Sequence, residues 1–392
     1  MTPKVLFFVE GNTDIRFVTG LSEISELTMA IPQANYRSSG LKERVAASGA
    51  KVQVDEIPGG RLRFQSASLL YLLRRARDFD VILCQEFLRG AFSGTLAGSL
   101  TNTPTITYMG ISPLEYFRCR RERRQIGRFQ ALAGETLIRF LMTWNGIFAT
   151  RCLCMGSYLE TVAGRYSKRT GHGLYYGVDT ELFRPASDSE RARLRSELDL
   201  PPEKFVIFLS SRISHEKDPE TVIQAAASAR KQGLDAVVIN LGGGYQDFLR
   251  VARQIAGSDA EKWVLGRPAA HPMGELAGYY QASDCLAQAS LAEGLGISPM
   301  EALACGIPAV CTAVGGLLHL GPYARLTPRR DAEAMCREFL WIAGHREDAR
   351  RQAMQGREYV AQHWSREKAF ADLAAVFTEV VRPARKVAQQ TA

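Results

Sequence analysis

CLAQASLAEGLGISPMEALACGIPAVCTAV, residues 285–314, holds a short apolar run, a glycine loop, a helical stretch and a second apolar run. That order is strand, loop, helix, strand, a βαβ unit whose two strands lie parallel. Gly294 and Gly296 let the backbone approach a ligand closely. Ser298-Pro299-Met300-Glu301 reads as an N-cap, a proline in the first helical position and a capping-box glutamate. The unpaired N–H groups and dipole of such a helix start hold a phosphate. A capping box accounts for Glu301 without a ligand, whereas Glu293, in the loop before it, has no such structural duty.

The same rhythm extends in both directions. FVIFLSS (205–211), AVVINLGG (236–243) and WVLG (263–266) complete a set of strands with helical patterns between them. VLFFVE (5–10), LTMAIP (27–32), VQVDEI (52–57), VILCQE (81–86), TITYM (105–109), CLCMGS (152–157) and GLYYGV (173–178) form an earlier set, separated by stretches such as FQSASLLYLLRRARDF (64–79). ELFRPASDSE reads as the linker between the sets, with Pro185 breaking structure and Ser and Asp opening a helix. The reading is α/β, two Rossmann-like doubly wound parallel-sheet domains facing a cleft. They cover residues 1–185 and 186–365, and a C-terminal helix and tail, 366–392, is placed to pack back on the first domain. Ligands of such sheets bind at the carboxyl ends of the strands, so the cleft between the domains is the expected site.

Charge is unevenly spread along the chain. The net charge is +8, from 49 Lys+Arg and 41 Asp+Glu, and residues up to Pro185 hold 24 of the basic and 16 of the acidic side chains. The remainder is neutral. Much of the excess lies in RCRRERRQIGR (118–128), next to an apolar helical stretch around 131–148. A basic segment beside an apolar one suits an anionic membrane surface or an anionic substrate, with a solvated helix face as the plain alternative. No nucleic-acid reader motif accompanies it, so no nucleic acid is expected. The most lipid-like stretch, LIRFLMTWNGIF (137–148), contains Arg139 and Asn145 and falls short of the ~20 apolar residues a span needs. The opening MTPKVLFFVEGNT reads as a first strand, not a leader. The eight cysteines lie mostly in apolar runs and read as reduced core residues of a reducing compartment; Cys152-x-Cys154 lacks the second pair that a zinc site requires.

A second constellation, SSRISHEKDPETVI (210–223), follows the first strand of the second domain. Arg212 offers a planar fork and Lys217 a point charge, the pair a diphosphate leaving group calls for. Taken with Glu293-x7-Glu301, CGIPAVCTAVGG and GVDTELFRP (177–185), these residues resemble the retaining family-4 (group 1) glycosyltransferases of the GT-B fold. The resemblance covers about residues 172–316; before that it is one of topology.

The resemblance implies transfer of a sugar from a nucleotide donor with retained anomeric configuration. It assigns the diphosphate to Arg212 and Lys217, hydroxyls of the donor sugar to Glu293, and ribose hydroxyls to Glu301. The backbone of Gly296, Ile297 and Ser298 lies against sugar and phosphate, the loop Val264-Leu265-Gly266 beside the base, and Gly11 at the donor. No metal or other cofactor is expected. The first domain departs from the family's pattern: Glu10-Gly11-Asn12-Thr13-Asp14 has one glycine, TYMGISPLEYF (107–117) lacks a histidine near the donor sugar, and Tyr176 stands where Asn is common. Gly110, Ser112 and Glu115 are the alternatives for that histidine's place.

The expected activity is a retaining hexosyltransferase, taking UDP-sugar in preference to GDP-sugar and acting on a glycan or lipid-linked hydroxyl, as in polysaccharide biosynthesis. The other readings are a soluble small-molecule acceptor, a nucleotide-sugar epimerase and a non-catalytic sugar-nucleotide binder. The expected location is the cytoplasm, with attachment at the inner face of the membrane as its variant.

Overall fold

A computed structural model of the chain describes residues 2–11, 13–59, 63–124, 127–268 and 273–390. Gln125 and Ile126 of the basic run, and the last two residues of the tail, lie outside them. The chain divides into two compact units. The first comprises residues 1–117, 126–176 and 367–392, and the second residues 118–125 and 177–366.

The first unit carries seven parallel strands: β1 (Lys4–Phe8), β2 (Glu26–Pro32), β3 (Val52–Ile57), β4 (Val81–Cys84), β5 (Thr105–Met109), β6 (Arg151–Cys154) and β7 (Thr170–His172). Their spatial order is β3-β2-β1-β4-β5-β6-β7. β1 and β4 are apolar runs without alternation, buried almost throughout, as strands covered by helices on both faces must be. Helix Ile15–Ile24 starts where Asp14 Oδ1 accepts the N–H of Arg16 at 2.9 Å.

GLYYGV is not a strand. β7 ends at His172, and Tyr175 (φ +56°) and Gly177 (φ +63°) turn the chain out of extension. The tyrosines of this turn join an aromatic group instead: Tyr175 lies 4.2 Å from Phe17 and 5.8 Å from Tyr108, centroid to centroid. Apolar composition alone suggested a strand, and the left-handed backbone at Tyr175 is not visible in it.

The second unit has six parallel strands: β8 (Phe205–Leu209), β9 (Ala236–Leu241), β10 (Val264–Arg267), β11 (Cys285–Gln288), β12 (Ala309–Thr312) and β13 (Arg325–Thr327). They run in the order β10-β9-β8-β11-β12-β13. β13 was not expected from the sequence; it is three residues long and carries little pattern. Val264-Leu265-Gly266 is part of β10, as the strand reading of WVLG has it and not the loop that the resemblance implies, and it pairs along β9 at the edge of the sheet.

In both sheets the direction of strand addition reverses once, between β1 and β4 and between β8 and β11. That reversal opens a crevice at the carboxyl ends of the flanking strands. The second unit also closes on itself. Val178 N–H donates to the Trp364 carbonyl at 2.8 Å and Arg366 N–H to the Val178 carbonyl at 2.9 Å, so the two ends of its segment 177–366 are hydrogen-bonded neighbours. Residues 179–185 belong to this unit, where buried Phe183 meets Tyr280 edge-on. The helix Asp188–Glu197 then opens on Ser187, whose Oγ accepts the N–H of Glu190 at 3.2 Å.

Candidate active site

The loops after β8 and β11 flank the crevice of the second unit and carry most of the chemistry expected there. Glu293 stands in the loop after β11. Its Oε2 accepts from Lys217 Nζ at 2.6 Å, from Gln288 Nε2 at 2.6 Å and from Ser290 Oγ at 3.0 Å. Its Oε1 lies 3.3 Å from Gly294 N. A carboxylate with this many donors is fixed in direction. Lys217 reaches it from the single 3-10 turn His215–Lys217 that follows β8.

Arg212 belongs to the same loop. Its Nη2 donates to Glu216 Oε1 at 2.7 Å, where Glu216 is buried and Arg212 is more than half exposed. The Glu216 carbonyl accepts Leu291 N–H at 2.8 Å, which ties the loop after β8 to the loop after β11. Arg212, Lys217 and Glu293 are therefore brought together through one hydrogen-bonded loop pair. His215 lies between the two cations, and its Nε2 is a buried atom without a hydrogen-bond partner among the described residues.

Residues 118–124, the later part of the helix Pro113–Arg124, also belong to this unit. Arg120 Nη2 is 3.8 Å from Glu216 Oε1, and Glu122 accepts from Arg330 at 2.5 Å. Part of the basic run is thus engaged by side chains of the unit, and a purely solvated helix face does not describe it.

The helix after Glu293 starts earlier than its sequence suggests. It spans Ile297–Ala304, and its N-cap is Gly296 in the left-handed region at φ +89°. The capping box is not formed: no side chain caps this helix. Ser298 Oγ donates to the Ser210 carbonyl at 3.0 Å. Glu301 is buried and accepts the hydroxyl of Tyr280 at 2.7 Å. Burial, then the adjacent Glu301 charge, push the Tyr280 phenol well above its ordinary range. A local cap motif was outweighed by a left-handed glycine that lets the helix begin at once after the loop.

Val264, Leu265 and Gly266 are not gathered with these groups in the sheet order; β9 and β8 stand between β10 and β11. Gly11 belongs to the first unit, where it lines a cavity of ≈ 530 Å³ with Glu10, Asn35, Phe64, Glu86 and Arg89. No neighbour lies within 4 Å of where its side chain would be, so packing does not demand glycine there.

That cavity contains groups sequence reasoning missed. Glu10 follows β1 and Glu86 follows β4, at the first unit's own crevice. Glu10 Oε1 takes Gln65 Nε2 at 2.9 Å and Arg89 at 2.7 Å, and the Gly90 N–H serves both carboxyls, at 3.0 Å to Glu10 and 2.8 Å to Glu86. Burial, then the hydrogen bond and charge of Glu10, push Glu86 well above the usual carboxylate range. The signal was present: two of the quoted apolar strand segments, VLFFVE and VILCQE, end in glutamate. Gly110 lines a second cavity of ≈ 320 Å³ beside Glu86, Tyr108, Met155 and Tyr175, while Ser112 is buried and Glu115 accepts the Tyr158 hydroxyl.

All eight cysteines are free and buried. Among the described residues no three His, Cys, Asp or Glu side chains gather as metal ligands. No helix of the described residues is long and apolar enough to cross a membrane.

Two solved structures share the architecture along nearly the whole chain. The Anabaena protein Alr3699/HepE, crystallised with UDP-glucose, aligns over 96% of this chain and 100% of its own with a TM-score of 0.78 at 17% identity. Sucrose-phosphate synthase of Thermosynechococcus elongatus aligns over 97% and 100% with a TM-score of 0.76 at 16% identity. Two Rossmann-like parallel-sheet units in this arrangement of strands are the GT-B fold. Residues 190–358 match the family model of the glycosyl transferases group 1. Among curated relatives, D-inositol 3-phosphate glycosyltransferase 1 of Catenulispora acidiphila is 35% identical over 155 residues, which are 37% of this chain and 36% of that protein. The chain spans about a third of the length of the first curated relatives it matches.

Proposed function

We propose that the protein is a retaining glycosyltransferase that moves a sugar from a nucleotide-sugar, UDP-sugar before GDP-sugar, to a hydroxyl of a glycan or lipid-linked acceptor. The observation that carries this reading is the convergence of Lys217, Arg212 and Glu293 at the crevice of the second unit. Breaking the sugar–phosphate bond builds negative charge on the leaving diphosphate and positive charge on the ring. The Lys217 ammonium, the Arg212 guanidinium and the start of helix Ile297–Ala304 stabilise the former as it forms. Glu293 serves the hydroxyls of the donor sugar and Glu301 those of the ribose, with the backbone of Gly296, Ile297 and Ser298 beside sugar and phosphate. Val264, Leu265 and Gly266 take the base, and Gly11 is the first unit's contribution to the donor.

The UDP preference is supported by the UDP-glucose complex of the Anabaena protein that shares the fold. Calorimetric titration with UDP, GDP, dTDP and ADP tests it. Saturable binding of UDP, weakened at least tenfold in Lys217→Ala and Arg212→Ala with unchanged thermal midpoints of the free proteins, is the expected result. Binding of none of the four removes the donor assignment.

A further inference from the structure

The helix Arg128–Phe148 of the first unit is apolar on two opposite faces. At 100° per residue, Ala131, Leu141, Met142, Asn145 and Gly146 form one face, and all five are buried. This side is locked in place. Asn145 Nδ2 donates to the Leu88 carbonyl at 2.9 Å and the Phe87 carbonyl at 3.3 Å, while Thr95 Oγ1 donates to Asn145 Oδ1 at 3.1 Å. The helix cannot rotate without abandoning those bonds in a buried setting.

The opposite face is held outward and is also apolar. Phe129 is 89% exposed, Leu132 67%, Phe140 54% and Ile147 56%, with Leu137 and Phe148 beside them. Phe148 meets Trp144 at a tilt, 4.3 Å between ring centroids, extending the face. By helical position Ala133, Thr136 and Thr143 interrupt it and Gln130 shares the edge with Phe148, and 21 residues give it a length of about 30 Å. Monomeric soluble proteins rarely leave a continuous apolar strip of this kind to water.

Charge chooses the occupant. Arg128 and Arg139 are both exposed and fall on the same flank of the apolar face, where Glu135 lies beside them by helical position and leaves the flank net basic. A second copy of this face would set one net-basic flank against another, whereas acidic headgroups complement both. We infer that this helix lies flat in the interface of an anionic lipid bilayer, its apolar strip among the acyl chains and its arginine flank at the headgroups. The inference stands on this helix and does not require the donor chemistry proposed above.

Flotation of the full chain with vesicles tests it, using phosphatidylcholine alone and phosphatidylcholine with about 30% phosphatidylglycerol. The wild type is expected to float with the anionic vesicles, less so as salt is raised. Phe129→Ser/Phe140→Ser/Ile147→Ser lowers the partition coefficient roughly 100-fold. Arg128→Gln/Arg139→Gln lowers it about tenfold and reduces its salt dependence. Phe129→Ser alone, at the most exposed position, keeps the test valid should the triple variant not fold. Absence of the wild type from the anionic vesicles overturns the proposal, as does flotation of Phe129→Ser and the triple variant equal to wild type. A concentration-dependent dimer abolished by the serine substitutions, without vesicle binding, overturns it in favour of a second copy.

Discussion

Lys217 Nζ lies 2.6 Å from Glu293 Oε2, so the cation proposed for the leaving diphosphate and the carboxylate proposed for the sugar are already partners. Both are largely shielded, with 22% and 14% of their side chains exposed. An ion pair screened from water holds two long side chains in one geometry before the donor arrives, and such preorganisation is what a charge-building step uses.

Breaking that pair from either side should cost turnover. Lys217→Ala and Glu293→Gln are each expected to lower kcat by about 10²–10³-fold in an assay of sugar transfer. Because the two residues act as a unit, the double variant should fall well short of the product of the single losses. Full multiplicativity would show that they act independently.

Tyr280 and Glu301 define a second pair, both buried, with the phenol donating at 2.7 Å. Tyr280→Phe removes a donor from a buried carboxyl. A loss of about 1–3 kcal/mol in urea unfolding is expected. The Kd for UDP should rise with it, since Glu301 loses its orientation toward the proposed ribose hydroxyls.

Glu86 gives the protein a pH dependence of defined sign. Burial, then the hydrogen bond and charge of Glu10, raise its folded pKa well above the usual carboxylate range. A raised folded pKa means the folded state binds the proton more tightly than the unfolded chain. Its contribution is therefore present at low pH and lost as pH rises through the folded value. Between about pH 5 and about pH 9, the thermal midpoint of Glu86→Gln should decline less than that of the wild type. Identical slopes would show that Glu86 ionises normally.

The loop that presents Glu293 depends on two glycines. Gly296 sits at φ +89°, and a Cβ there would overlap the side chain of Leu317. Gly316 N–H donates to the Glu293 carbonyl at 3.2 Å, and a Cβ on Gly316 would strike the carbonyl of Gly294. Gly316→Ala is expected to displace this loop and lower kcat/KM more than tenfold, a loss of about 1.4 kcal/mol or more in transition-state stabilisation. Steady-state kinetics beside a thermal melt would separate this from global unfolding.

Strands with continuous apolar runs were legible in the sequence to within a few residues, because a strand buried on both faces must be written that way. β5 matches its expected limits, TITYM, and is buried throughout; β3 matches VQVDEI as a half-buried edge strand. What failed was local geometry set by tertiary contact. Tyr175 takes a left-handed conformation that its residue type does not announce, and the Gly296 cap displaced the box expected at Ser298. Lys217 and Glu293 are 76 residues apart, and their hydrogen bond follows from β8 and β11 being neighbours in the sheet. Glu10 and Glu86 were hidden for the same reason: each closes an apolar run, and only the adjacency of β1 and β4 makes them a pair.

The last helix, Arg366–Gln390, belongs to the first unit from Glu367 onward, and its Phe370 ring stacks against Phe17 and covers Gly20 so closely that no Cβ fits there. On the ribosome, the half that is made first is therefore the half that is finished last. Its surface around Phe17 and Gly20 stays uncovered until residue 370 emerges, by which time the whole second unit has been synthesised and is free to fold. Chaperone dependence and sensitivity to truncation before residue 370 should accordingly map to the first unit, although the missing residues follow the whole of the second.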